Sequence, residues 1–249
     1  MKKNKLERPK KKRRKKNFFL AIVVVILILV GLYFGATSDI FSIDNISVKS
    51  SGQHFTIAKV AELSGIKKGD NLWKTRTGKA EERLKKDPYI ENAEIKRRLP
   101  GTIEITIDER EENYVIRVGD GFAVMDWSGM VLRLAGKAPE APLIEGVEAD
   151  KAATGSAIEV SRELLLADIV KLLEDTERSG LYFKRVNVTD VGVVAYIYDT
   201  LSVKGRLENV DDGLDKVKLV MLDLMKQKIK RGTIIVGESG NCTFSPEEQ

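Results

Sequence analysis

Nineteen consecutive uncharged residues, 18–36 (FFLAIVVVILILVGLYFGA), limit what this chain can fold into more than any other feature. At ~1.5 Å per residue the run extends about 28 Å, close to the ~30 Å hydrocarbon thickness of a bilayer. A helix packed on a soluble core keeps a polar face, and this run has none. A cleaved signal peptide has a shorter apolar stretch, about 7–15 residues, and small residues before the cut. Here Phe34 stands where a small residue is needed. The reading is a single uncleaved transmembrane helix over 18–36.

The charge flanking this segment is one-sided. Residues 1–16 hold eleven Lys or Arg against one acid, Glu7, a net +10 in a chain whose total is +5, so the remainder carries −5. Basic flanks stay on the cytoplasmic side, and the far flank opens with Ser38, Asp39 and Asp44. Lys10, Lys11, Lys12, Arg13, Arg14, Lys15 and Lys16 are therefore expected to orient the span, with 1–17 a basic cytoplasmic tail and the rest outside. The tail would also attract anionic lipid headgroups. Because the body is acidic, a nucleic-acid role for the folded part loses its electrostatic support.

Beyond the span, residues 41–48 read as a strand. A helix over 56–64 is capped by Thr56 and stopped by Gly65, with Ile57, Val60, Ala61 and Ser64 on one face. A second helix, 77–87, buries Ala80 and Leu84 and ends at Pro88. Ala93–Arg98 is a candidate strand, Leu99-Pro100-Gly101 a turn, and Thr102–Asp108 alternates with Ile103, Ile105 and Ile107 on one side. Two helices on a three-stranded sheet suit this order.

The later residues read as short strands at 114–118, 122–125 and 131–134, then Leu143–Gly146. An amphipathic helix follows over 161–179, with Ser161 as cap and Leu165, Ile169, Leu172 and Leu173 on its face. Strands are expected at 183–188, 193–198 and 201–203. Another helix starts near Asn209–Asp212 and carries Leu214, Val217, Met221, Leu224 and Met225. The last strands are Thr233–Val236 and Cys242–Phe244.

These residues resemble a known family. The run Tyr89–Arg110 (YIENAEIKRRLPGTIEITIDER), with Arg97, Arg98, Pro100, Ile103, Ile105, Glu109 and Arg110, is similar to the end of the POTRA domain in FtsQ/DivIB division proteins. Asp126, Gly129, Val131-Leu132, Leu143–Gly146 and the ending Gly232 to Pro246 resemble later family motifs in order. The expected fold is α+β: one transmembrane helix, a β-α-α-β-β POTRA domain at 40–110, and a C-terminal β domain at 111–245. The latter would pack two long helices on an antiparallel sheet, with 246–249 a short tail.

No chemistry is expected: no catalytic residue, no cofactor and no metal. Cys242 is the one cysteine, which excludes an internal disulfide and a paired-cysteine zinc site. His54 is the one histidine and is placed in a solvated loop. Ser64–Lys67 matches S-x-x-K but lacks its S-D-N and K-T-G companions. Gly119-Asp120-Gly121 reads as a hairpin turn, Asp211-Asp212 as a helix start, and Asp108, Glu109, Glu111 and Glu112 as a solvated strand end. An envelope enzyme with an unrecognised site is the competing reading, and a POTRA-bearing transport component is a third.

The resemblance implies a division scaffold in the inner membrane, concentrated at the septum. It implies binding to FtsB/DivIC-like and FtsL-like proteins and influence on the septal peptidoglycan synthase. The final strands are expected at a sheet edge, where backbone groups are free to pair. Thr233, Ile234, Ile235, Val236, Cys242, Thr243 and Phe244 are the candidate contacts.

Overall fold

The computed structural model describes residues 12–147 and 149–246. Helix α1 runs Lys12–Ala36, and its segment Phe18–Ala36 is long and apolar enough to cross a membrane, with none of it buried. The folded residues form two compact units. One holds the chain through Leu84 with Ala93–Ile107; the other holds Lys85–Asn92 and the chain from Asp108 onward.

The first unit contains β1 (Asn45–Ser50), α2 (Ile57–Ser64), α3 (Thr77–Leu84) and most of the strands β2 (Ile90–Arg98) and β3 (Thr102–Glu109), in sheet order β1-β3-β2. The β1 and β3 strands are parallel, with Ile46 opposite Ile103 and Val48 opposite Ile105. The period-2 pattern of β3 is fully used: Ile103, Ile105 and Ile107 are buried on one face. Thr56 caps α2 by accepting from the Lys59 N–H, and Gly65 closes it at φ 70°. Ile57 departs from expectation. It is 59% exposed, while Val60 and Ser64 are fully buried. At ~100° per residue Ile57 shares the face of Val60 and Ser64, so its exposure follows from its place as the first residue of the helix, before the covered stripe begins.

The second unit is built on nine strands: β4 (Tyr114–Val118), β5 (Gly121–Met125), β6 (Val131–Ala135), β7 (Leu143–Glu145), and, beyond the small pair β8 (Ala149–Lys151) and β9 (Glu159–Val160), β10 (Arg185–Thr189), β11 (Gly192–Tyr198), β12 (Leu201–Gly205), β13 (Gly232–Val236) and β14 (Cys242–Ser245). Three helices are threaded among them: α4 (Glu163–Ser179), α5 (Leu207–Asp212) and α6 (Leu214–Lys226). The order is β14-β13-β12-β11-β10-β7-β4-β5-β6. The sheet is mixed rather than antiparallel throughout, because β7 pairs in parallel with both β4 and β10, and β13 with β12. Helical crossovers return the chain to the same end of the sheet for β7–β10, through α4, and for β12–β13, through α5 and α6, whereas β7 reaches β4 by way of β5 and β6. Ile169, Leu172, Leu173, Val210, Val217 and Leu224 from the helices meet Ile116, Ile144, Val186, Ala195, Val203 and Ile234 in one core.

Two helix starts differ from the sequence reading. Ser161 is not a cap: Arg162 holds that position without a side-chain hydrogen bond, and α4 begins at Glu163. The strand β9 carries extended backbone through Val160, so the helix can turn in only afterwards. Asp211-Asp212 ends α5 instead of opening a helix, and Gly213 separates α5 from α6. A Cβ at Gly213 would meet Asn209 O at 2.9 Å and Gly240 Cα at 3.2 Å, so the close approach of the 238–240 turn fixes glycine there.

Candidate partner-binding edge

The closing hairpin pairs Thr233 with Ser245, Ile234 with Phe244, Ile235 with Thr243 and Val236 with Cys242. Only half of the expected edge lies at an edge. Thr233, Ile234, Ile235 and Val236 sit on β13, which is paired on one side with β12 and on the other with β14. The reason is the parallel return through α5 and α6, which docks β13 beside β12 and leaves the hairpin to add one more strand. Cys242, Thr243 and Phe244 sit on β14, the terminal strand of the sheet.

Backbone polarity along β14 follows from one hydrogen bond. The Gly237 N–H donates to Asn241 O at 2.9 Å. Antiparallel pairs that exchange bonds recur every second residue, so Thr243 and Ser245 direct their N–H and C=O groups toward β13. Those of Cys242 and Phe244 point away from the sheet. Their side chains pack against the core, whereas Thr243 and Ser245 are exposed on the other face. Burial pushes the Cys242 thiol up from its ordinary range, which makes it a weak nucleophile.

The opposite edge is less open. The Val131 N–H donates to Ser156 O at 2.9 Å, the Gly155 N–H donates to Val131 O at 2.8 Å, and Met130 bridges to Ala157. The β5–β6 register shifts at Val124/Met125, and Arg133 stands on β6. A covering loop, a bulge and a charge are the usual means of closing an edge to further strands.

The other motifs resolve as structure. Ser64 is buried; its hydroxyl donates to Ala61 O at 2.8 Å and accepts from the Ile66 N–H at 3.2 Å, so it finishes α2. Asp211 pairs with Lys171 at 2.5 Å. Glu112 accepts from Arg133 at 2.6 and 2.8 Å and from Tyr89 at 2.6 Å. Gly119 takes a positive φ of 56° in the β4–β5 turn. His54 lies in the exposed turn before α2. Among the described residues no three His, Cys, Asp or Glu side chains gather as a metal site. Lys10 and Lys11 lie outside the described residues, and Lys12, Arg13, Arg14, Lys15 and Lys16 fall in the first turns of α1. Sequence reasoning missed the outward polarity at Cys242 and Phe244, which needs the pairing partner, and Ser245, which extends β14.

Comparison with known proteins agrees with this architecture. The model of the FtsQ-type POTRA domain matches residues 41–110. Cell division protein DivIB of Clostridium botulinum (strain Hall) is 27% identical over 217 residues, spanning 84% of this chain and 83% of the relative. DivIB of Geobacillus kaustophilus is 28% identical over 75% of this chain and 69% of its own length. Cell division protein FtsQ of Syntrophotalea carbinolica is 27% identical over 82% and 76%. Residues 41–110 are thus an FtsQ-type POTRA domain, and over most of its length the chain is similar to the FtsQ/DivIB cell-division proteins.

Proposed function

We propose that the protein is a non-enzymatic scaffold of the division machinery, acting by strand addition along β14. The observation that carries this is the pair of outward-directed backbone units at Cys242 and Phe244, on the terminal strand of a nine-stranded sheet. An incoming extended segment gains main-chain hydrogen bonds there, and pockets between alternate side chains give specificity. The partners are the FtsB/DivIC-like and FtsL-like coiled-coil proteins, through which the scaffold influences the septal peptidoglycan synthase. The domains run 40–110 and 111–245. The basic tail 1–17 faces the cytoplasm, and both domains face outward at the septum of the inner membrane.

The test uses two prolines in the full chain. Cys242→Pro removes an outward N–H, and Asn241 at ψ 130° already has the extended backbone that precedes proline. Thr243→Pro removes an N–H bonded within the hairpin, so it should lower stability. Cys242→Pro should weaken capture of the FtsB/DivIC-like partner by at least about tenfold, roughly 1.4 kcal/mol, with an unchanged thermal midpoint. Full capture by that variant would end the strand-addition reading. Depletion of the protein should block septation.

A further inference from the structure

The first unit carries a basic groove beside the end of α1. Its volume is about 460 Å³, and its lining includes Asn71, Lys74, Arg76, Lys79 and Arg83, with Asp70 as the acid. That carboxylate is occupied: Asp70 Oδ2 accepts from the Lys67 N–H at 3.0 Å. Lys74, Arg76 and Lys79 are exposed and form no ion pair among the described residues. Arg83 is held at the groove wall by donating to Ser64 O at 3.2 Å.

The groove's position is set by hydrogen bonds to the helix exit. Asn71 Nδ2 donates to Ala36 O at 3.0 Å, and Ala36 is the last residue of α1. Leu72 N–H donates to Phe41 O at 2.8 Å, and Ile43 N–H donates to Asp70 O at 2.8 Å. The loop carrying Lys74 and Arg76, which leads into α3 with Lys79 and Arg83, is thus stitched to the first residues beyond the apolar span. When that span fills the hydrocarbon core, Ala36 lies at its boundary and Asn71 lies at headgroup depth. Two apolar side chains stand exposed in the same segment: Ile40 at 70% and Trp73 at 50%. Trp73 packs edge-on against Phe41 at 6.0 Å, and tryptophan at a bilayer interface is a common anchor.

We propose that this groove binds the phosphate headgroup of an anionic phospholipid in the leaflet where α1 ends. The shared chemistry is a phosphate anion. The source is a lipid rather than a soluble phosphate or an acidic peptide because the cations sit beside a membrane exit and are bordered by interfacial Ile40 and Trp73. The proposal concerns the face of the first unit nearest the membrane and depends on α1 spanning the bilayer, not on partner capture at β14.

The experiment uses the full chain with Trp127→Phe, which leaves Trp73 as the single tryptophan. The protein is held in neutral dodecylmaltoside micelles and titrated with phosphatidylglycerol while Trp73 emission is followed. A saturable response is expected with phosphatidylglycerol and none with phosphatidylcholine. The basic tail also attracts this lipid, but Trp73 reports only its own surroundings. Lys74→Gln/Arg76→Gln/Lys79→Gln should lose about fivefold in affinity per charge, on the order of a hundredfold in all. Lys49→Gln/Lys59→Gln/Lys96→Gln removes as many charges from elsewhere in the unit and should change affinity by less than about threefold. Circular dichroism of both triple variants establishes their folding. Equal loss in the two triple variants overturns the groove in favour of diffuse attraction. Saturation by inorganic phosphate alone, or by hexaglutamate alone, overturns the lipid as occupant.

Discussion

Arg110 Nε lies 2.8 Å from Asp126 Oδ2, with the two side chains 16% and 9% exposed. The contact is an ion pair rather than an aligned hydrogen bond, since Nε lacks a hydrogen-bond partner. Arg110 bonds through Nη1 to the carbonyls of Pro88 and Ile90 at 3.3 and 3.0 Å. Asp126 Oδ1 accepts from Ser128 Oγ at 2.7 Å and from the Met130 N–H at 2.8 Å. Two motifs far apart in sequence therefore share one charge pair. Removing one partner of a buried pair strands the other charge, so Asp126→Ala should cost about 3–5 kcal/mol. Asp126→Asn keeps the turn acceptor and should cost less. Urea unfolding of the full chain in detergent measures both, and equal costs would mean the ion pair, which both variants lose, and not the turn is what matters.

Gly232 opens β13 at φ 131°, a conformation side chains avoid. A Cβ there would meet Phe244 Cε2 and Ser245 O, each at 2.6 Å. Gly232→Ala therefore strains the backbone and pushes β14 at once, for an expected cost of about 2 kcal/mol or more. Partner capture should fall with it, because the strand that would be displaced is the proposed edge. An unfolding midpoint equal to the parent's would show that neither the backbone strain nor the displacement of β14 carries a cost.

How much of this was legible in the sequence depends on the range of the interaction. The alternation of Ile103, Ile105 and Ile107, the cap at Thr56 and the stop at Gly65 are local, and each was readable from a few residues. The place of β13 was not. Thr233–Val236 has the composition of any strand, and only the return of the chain through α5 and α6 puts it between β12 and β14. The need for glycine at 213 likewise comes partly from Gly240, 27 residues away, which leaves little room for a Cβ. The basic groove is not legible locally, because Lys74 and Arg76 on the loop and Lys79 and Arg83 on α3 gain their place only when Asn71 joins that loop to Ala36.

Tyr89 provides a pH-dependent prediction. Its hydroxyl donates to Glu112 at 2.6 Å. Burial first, and then the bond to Glu112 and its charge, push the phenol up to about 12. A phenol whose folded value exceeds its unfolded value of about 10 favours the folded state below pH 10. That contribution fades as the pH rises from about 10 toward 12, because the unfolded chain releases the proton first. Carbon NMR of labelled tyrosine rings should give a Tyr89 midpoint well above that of an exposed tyrosine. Glu112→Gln should lower it, though not to the exposed value, since burial remains. A midpoint insensitive to Glu112→Gln would assign the whole shift to burial.

Arg97 governs the loop that carries the basic groove. From β2, its Nε donates to Leu72 O at 2.9 Å and its Nη2 to Thr75 O at 2.7 Å. The planar fork spans two carbonyls three residues apart, which a lysine's single ammonium cannot do with the same geometry. Arg97→Lys should therefore cost about 1–2 kcal/mol locally. Amide exchange over 72–76 should quicken by about tenfold, while exchange in α2, which Arg97 does not touch, stays as it was. Charge is conserved in this variant, so diffuse attraction to anionic lipid is conserved too. If the groove binds by shape, affinity for phosphatidylglycerol at Trp73 should nevertheless fall, because Trp73 and Lys74 lie between the two carbonyls that Arg97 holds. Unchanged exchange over 72–76 would show that the loop keeps its form without Arg97, through the Leu72 N–H bond to Phe41 O and through Asn71, whose Oδ1 accepts from the Trp73 and Lys74 N–H groups at 3.0 and 3.2 Å.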